Sequence, residues 1–363
     1  MVIEERDLPL LISLQQHPLA PASNLAKELG VSTPTVISRL EHLKEEKSYY
    51  SVYANIQPFT LNLEIVDVIL NIENLENIQF IENVVCFKHP FTLFRIRCFG
   101  KSNGLFLQFR IPKGTKNKLI QLFDELKKEN KIIEYFLPNY TPNMKKIVTN
   151  ANLLNWEHKL MRWSFNWDDW IRKMDNIKPI KLEYKKQKNY LSQLDELDIA
   201  LLQELTMNAR RKNTEIMSAL NLDKNEVGLP QKVSRKLKFL DKNIISQYRV
   251  FLRWETFEIY NSFLIISNCS DKIKFKLQNL LQKEPIPFES LYKITNEGFM
   301  WYLRCPSSHF SDVSEFVLSM TEKVQFYFLD YKTSEFYGLW KGAFDPDNHI
   351  WETNLMDIDR ILS

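Results

Sequence analysis

Glycine is scarce in this chain, with eight in 363 residues. No G-x-G-x-x-G and no P-loop occurs, so a backbone cradle for nucleotide phosphates is not expected. A G-x-S-x-G nucleophile elbow is missing as well. The four cysteines (Cys86, Cys98, Cys269 and Cys305) lack C-x-x-C spacing, and none of the six histidines pairs with another or with a cysteine at ligand spacing. Neither zinc nor a catalytic metal is expected from this pattern, and no other cofactor is indicated. Scattered unpaired thiols suit a reducing cytoplasm. No run of 18 apolar residues exists, so no membrane span is expected. The stretch from Met1 to Pro9 lacks the basic start and small-residue cleavage site of a signal peptide.

What is present is ample core material and uneven charge. The hydrophobic fraction is 44% and the aromatic fraction 13%, well away from the signature of disorder. Net charge is only +3, but its distribution is lopsided. Ala22 to Lys47 is balanced, with four bases and four acids. Met207 to Arg249 carries ten Lys/Arg against four Asp/Glu, and Arg172 to Lys188 seven against two. Local excesses of this kind suit phosphate contact, and equally a solvated face.

The chain reads as two similar halves. In the first, Leu8–Gln16 and Ala22–Leu29 have helical spacing, and Gly30-Val31-Ser32 supplies a helix stop followed by an N-cap. Pro34 suits a first helical turn, and Val36, Leu40 and Leu43 form one apolar stripe. Tyr49–Ile56 is expected as a wing. Strands are expected at 65–72, 84–88, 93–99, 105–111 and 132–137, with helices at 75–81 and 116–129. The second half repeats the order. Helices fall at 194–205 and 214–220, a long segment at 223–240, and a wing at 244–252. Strands follow at 263–267, 288–294, 299–303 and 324–329, with helices at 273–282 and 311–320. Arg162-Trp163-Ser164-Phe165-Asn166-Trp167-Asp168 is echoed by Leu339-Trp340-Lys341-Gly342-Ala343-Phe344-Asp345. The expected fold is α+β: two tandem units, each a winged helix-turn-helix followed by a ferredoxin-like α/β sandwich. The corresponding segments are 1–57 and 58–140, an aromatic tail and basic linker 141–192, then 193–256, 257–332 and a C-terminal aromatic tail 333–363.

Leu194-Asp195-Glu196-Leu197-Asp198-Ile199-Ala200-Leu201-Leu202, followed by Asn208-Ala209-Arg210, resembles the opening of the Lrp/AsnC (feast/famine) regulators. Asn24 to Ser32 and Thr35 to Leu40 resemble the next part of that family's pattern. The resemblance implies a DNA-binding transcription regulator whose winged helices precede a sandwich that dimerises. It departs from the family where Pro230 follows the expected Asp223/Glu226 capping box, which should kink or break the second reading helix. The turn between the sandwich strands is His89-Pro90-Phe91 in one half and Asn296-Glu297-Gly298 in the other, which argues against an amino-acid effector.

On this reading the partner is double-stranded DNA and the chain is not an enzyme. Ser32, Thr33, Thr35, Ser38, Arg39 and His42 form the outward face that reads bases. Lys232, Arg235 and Lys236 (with Lys238 beside them) grip phosphates, and Arg210, Arg211 and Lys212 touch the backbone before the second short helix. Two sandwiches in one chain can pair internally, which makes the heads inequivalent; homodimerisation through the sandwiches stays open. Two alternatives stand beside this reading. One is a protein-interaction adaptor. The other is an enzyme like the siroheme decarboxylases, whose architecture is similar, with His89, Arg95 and Arg97 as the groups near a ligand. Asp168, Asp169, Asp345 and Asp347 are expected to cap turns beside packed tryptophans rather than form a pocket.

Overall fold

The computed structural model describes residues 3–46, 49–185 and 187–363; Lys47 and Lys186, counted among the bases above, lie outside them. The N-terminal head consists of α1 (Leu8–Gln16), α2 (Ala22–Leu29) and α3 (Thr33–Glu41). Gly30 at φ +66° ends α2, and Ser32 Oγ accepts the Thr35 N–H to open α3. Val36, Leu40 and Leu43 are buried, so the stripe faces inward. The strand β1 (Tyr50–Ile56) follows.

Then come β2 (Leu63–Asn71), α4 (Leu75–Phe80), α5 (Cys86–Lys88), β3 (Thr92–Gly100), β4 (Gly104–Pro112), α6 (Lys116–Lys128) and β5 (Glu134–Phe136). The strand expected at 84–88 is helical instead. Ile78, Ile81 and Val85 are all buried, and that i, i+3, i+7 stripe keeps the segment coiled against the sheet despite its β-branched pair. A connecting region holds β6 (Ile147–Thr149), the short hairpin β7 (Trp156–Glu157) and β8 (Arg162–Trp163), and α7 (Trp167–Asn176).

The second head has α8 (Glu196–Met207), α9 (Asn213–Ala219) and α10 (Leu229–Asn243), then β9 (Ile245–Leu252). Pro230 does not break a helix here. It lies in the first turn of α10, just after Gly228 at φ +83°, where a missing N–H costs nothing. The expected capping box at Asp223 is replaced by a turn in which Asp223 Oδ1 accepts from the Asn225 N–H. The chain continues through β10 (Ser262–Asn268), α11 (Asp271–Lys283), β11 (Glu289–Ile294), β12 (Gly298–Arg304), α12 (Phe310–Met320) and β13 (Lys323–Phe336). It closes with the hairpin β14 (Phe344–Asp345) and β15 (Ile350–Trp351) and with α13 (Ile358–Leu362).

The expected wings take another role. β1 pairs antiparallel with β9, Tyr50 opposite Leu252 and Ala54 opposite Tyr248, so the two heads share a ribbon. The remaining long strands form one nine-stranded sheet, β5-β2-β4-β3-β13-β10-β12-β11-β6. With β6 added at one edge, its two halves each run last, first, third, second in chain order, joined where β3 meets β13. Helices cover the outer face. The inner face holds a small separate core of Ile69, Phe94, Ile96, Cys98, Phe106, Leu264, Ile266, Met300, Tyr327 and Leu329. Asp67 on β2 bonds Lys293 on β11, so the sheet curls until its far ends meet. The segment before β6 crosses with it: Tyr140 bridges to Thr295, and Ile147 pairs with Tyr292.

Candidate functional site

The residues expected to meet DNA are distributed unevenly. On α3, Ser38 is exposed, and Thr33 and Thr35 are partly so. Ser32 and Thr35 hydroxyls are 2.7 Å apart and satisfy each other. Arg39 Nη1 donates to the Arg6 carbonyl at 3.1 Å. The N-terminal turn thus lies against the reading face, where Glu4, Arg6, Asp7, Thr35, Ser38, Arg39, Glu41 and His42 line a cleft of about 630 Å³. Three carboxylates in that cleft oppose phosphate approach. Burial pushes Asp7 up from the usual carboxylate range, with Glu4 adding to it and Arg39 opposing.

In the second head several cations are already engaged. Arg210 donates to the carbonyls of Pro18 (2.7 Å) and Ala20 (3.0 Å) in the first head. Arg211 is paired with Glu204. Lys236 bridges Asp195 at 2.9 Å and Asp198 at 2.7 Å, the two members of the α8 capping box. Lys212, Lys232, Arg235 and Lys238 are exposed. Of these engaged cations, Arg211 and Lys236 therefore brace the second head internally, and Arg210 alone ties it to the first.

A second concentration of charge lies between the half-sheets. Successive residues of a strand alternate faces, so Asp67, Gln108, Arg110, Lys293, Tyr302 and Arg304 share the inner face with the small core. Asp67 Oδ1 accepts from Gln108 Nε2 at 2.7 Å, and its other oxygen takes Lys293 and the Tyr140 hydroxyl. Arg249 on β9 reaches Glu289 at 3.3 Å, and Arg304 reaches the same carboxylate at 3.0 Å. Lys146, one residue before β6, stands across from Lys293. Burial brings its ammonium down to about 8, helped by Lys293 and Arg249 and opposed by Asp67. The network has four cations (Lys146, Arg249, Lys293 and Arg304) against two carboxylates, Asp67 and Glu289, and Arg110 lies on the same inner face with no charged group acting on it.

Arg110 and Arg304 occupy matching places. Each lies six residues after a glycine that opens its strand, Gly104 or Gly298. At both glycines a Cβ would meet a neighbouring backbone oxygen, Leu70 O at 2.3 Å or Ser267 O at 2.0 Å. Arg304 is fully engaged. It donates to Glu289, to Ser262 Oγ at 3.2 Å and to the Tyr302 hydroxyl at 2.8 Å, and lies against Trp254 and Tyr331. Tyr302 and Glu289 hold it above its ordinary range despite burial. Around Arg110 these partners are replaced. Ile65 takes the place of Ser262, Gln108 that of Tyr302, and Phe91 that of Glu289. Arg110 is 8% exposed, and burial lowers it to about 10. Its guanidinium has no hydrogen-bond or ion-pair partner among the described residues, and neither has the Lys146 ammonium. An unpartnered buried cation costs several kcal/mol, and an anion from outside the chain would relieve it.

The groups named for an enzymatic alternative lie on the other side of the sheet. Arg95 and Arg97 clamp buried Glu82 at 3.1 and 2.7 Å. His89 is buried against Phe109, with ring centroids 4.8 Å apart, and burial brings it down to about 3. Asp345 accepts hydrogen bonds from Asp347 and Asn348, and Asp169 pairs with Arg172 near the Asn166 cap. Trp163, Trp167 and Trp170 pack around Phe288, Phe165 and Phe316.

No family model matches this sequence, and no curated protein does. The likeness is to solved structures. The chain shares its overall fold with a siroheme decarboxylase. That structure, of the siroheme decarboxylase NirDL, is 11% identical, matches 90% of this chain and 91% of its own, and has a TM-score of 0.51. Structures similar to part of the chain include E. coli AsnC, 15% identical over 40% of this chain and 97% of its own, with a TM-score of 0.31. A transcriptional regulator from Neisseria meningitidis in complex with L-Met is 17% identical over 38% and 88%, also at 0.31. The expectation of a protein without catalytic activity is overturned here, because the fold matched along nine-tenths of the chain is one that an enzyme uses. No helix among the described residues is long and apolar enough to cross a membrane.

Sequence reasoning missed the inter-sheet network. Its signal was charge at inward positions of otherwise apolar strands: Asp67 in Leu63–Asn71, Arg110 in Gly104–Pro112, and Lys293 in Glu289–Ile294.

Proposed function

We propose that this chain is an enzyme that binds a polycarboxylate tetrapyrrole of the siroheme kind between its half-sheets and releases carboxyl groups from it as CO2. The observation that carries this reading is the bare guanidinium of Arg110, set against its fully partnered counterpart Arg304. A carboxylate bridging Arg110 would supply the charge that Glu289 supplies to Arg304, in the two-pronged geometry that guanidinium favours. Several carboxylates on one ligand suit Arg110 together with a network that has two cations in excess. The full-length likeness of fold to a siroheme decarboxylase agrees with the reading. The test is to mix purified chain with siroheme under anaerobic conditions. A shifted absorption spectrum and product masses reduced by CO2 are expected, with both lost in Arg110→Met. Wild-type protein that leaves spectrum and mass unchanged would overturn the reading.

A second reading assigns the heads to DNA. It draws on Lys232, Arg235 and Lys238, which project from the exposed side of α10, and on the Lrp/AsnC-like motifs. In this view the chain is a tandem duplication whose sandwiches pair internally and whose two heads are inequivalent, with α3 reading bases and α10 gripping phosphate. Replacing Lys232 and Arg235 by Ala should then reduce the salt slope of DNA binding by about 1 per lost phosphate contact. An unchanged slope discards it.

A further inference from the structure

We propose that Lys146 is the proton donor of this reaction, protonating the carbon from which CO2 has left, while Arg110 holds a substrate carboxylate. This inference rests on the tetrapyrrole reading and adds a chemical role to one residue of that site.

Ile147 of β6 lies opposite Tyr292 of β11, so the next pair along sets Lys146 against Lys293. Two lysines directly across antiparallel strands repel each other. One is neutralised: Lys293 is bound to Asp67. Lys146 is not. Asp67 spends its oxygens on Lys293, Gln108 and Tyr140, and Glu289 spends its own on Arg249 and Arg304. The charged groups acting on Lys146 are Lys293 from β11, Arg249 from β9 and Asp67 from β2. The Tyr184 hydroxyl accepts from its backbone N–H at 3.3 Å. Lys146 retains partial solvent contact, so it can be reprotonated from water.

The other polar groups of the inner face are poorer donors. Arg110 and Arg304 hold their protons too tightly for transfer near neutral pH. Tyr140 donates to Asp67, and burial with that carboxylate beside it raises the phenol well above its ordinary range. Lys146, brought down to about 8, is charged at neutral pH and still releases its proton readily, the combination that general acid catalysis favours.

The step balances without an oxidant or reductant. The bond between a side-chain methylene and its carboxylate breaks, and CO2 departs. The electron pair stays on the methylene carbon, conjugated with the macrocycle, and the proton from Nζ forms the new C–H bond. The neutral amine then takes a proton from water.

The experiment compares wild type with Lys146→Met and Lys146→Arg, all full-length, using siroheme as the probe. Binding is followed by absorption and turnover by product mass. Lys146→Arg, which keeps the charge, should bind within about threefold of wild type and Lys146→Met more weakly, and at saturating siroheme both should release CO2 at least about 100-fold more slowly, within the range that loss of a general acid produces. Wild-type turnover should decline as pH rises through about 8. In D2O the new C–H position should carry deuterium. Either variant turning over within tenfold of wild type overturns the role of Lys146 and leaves the tetrapyrrole reading intact. Wild type that neither binds nor decarboxylates siroheme overturns both.

Discussion

A buried guanidinium without a counter-charge is a stability cost that the folded chain carries, and Arg110 makes that cost measurable. Replacing it with Met removes an unpaired charge from beside Ile65 and the inner core. Arg110→Met should raise the free energy of unfolding in urea by about 1–3 kcal/mol, as seen when poorly compensated buried charges give way to apolar groups. The same change should abolish siroheme binding, so stability and function move in opposite directions. His89 acts through pH. Burial holds it neutral in the folded state, down to about 3 from an ordinary 6.5. A histidine lowered on folding contributes stability that is present above its unfolded value and lost as pH falls toward the folded one. Between pH 6.5 and about 3 stability should fall by about 1.4 kcal/mol per unit from this residue. His309, also lowered by burial, adds to the same trend. The slope of urea stability against pH should be shallower in His89→Phe; an identical slope would show that His89 is not the titrating group. At this scale local chemistry was legible: the Ser32 cap and the αL Gly30 follow from residue type alone. Arg110 was not, because strand alternation identifies an inner face only when the outer one is wet, and here helices cover the outer face.

Elements were legible where one apolar stripe meets one partner, as in α2, α3 and α6. They were misread where a neighbour decides. The β-branched pair Val84-Val85 sits in a helical segment because Ile78 and Ile81 complete a buried stripe with Val85. Pro230 starts a helix because Gly228 lets the chain turn just before it. The two wing-like strands have no sequence feature naming their partner, and each found the other. Arg210 belongs to this scale too. Its two bonds to carbonyls of the Pro18–Ala20 turn tie one head to the other, while burial holds its guanidinium below the ordinary range. Arg210→Ala should lower stability in urea by about 2–3 kcal/mol, within the range for lost charge-assisted hydrogen bonds. It should leave the salt slope of DNA binding unchanged. A fall in that slope with stability intact would return Arg210 to a phosphate-contacting role.

At the scale of the whole molecule, the order of helices and strands was readable, since each half repeats its spacing. The closure of the sheet was not. It depends on pairs more than 200 residues apart, such as Asp67 with Lys293, which no local pattern encodes. Closure also fixes what one chain can do that two identical ones cannot. In a symmetric homodimer every side chain occurs twice, so a carboxylate placed to quench one arginine quenches its mate. Here Glu289 stands beside Arg304 and Phe91 beside Arg110. Saturation is therefore expected at a single equivalent of tetrapyrrole per polypeptide, with a hyperbolic isotherm and no cooperativity between halves. Calorimetric titration giving two equivalents would mean that Arg304 exchanges Glu289 for a ligand carboxylate as well.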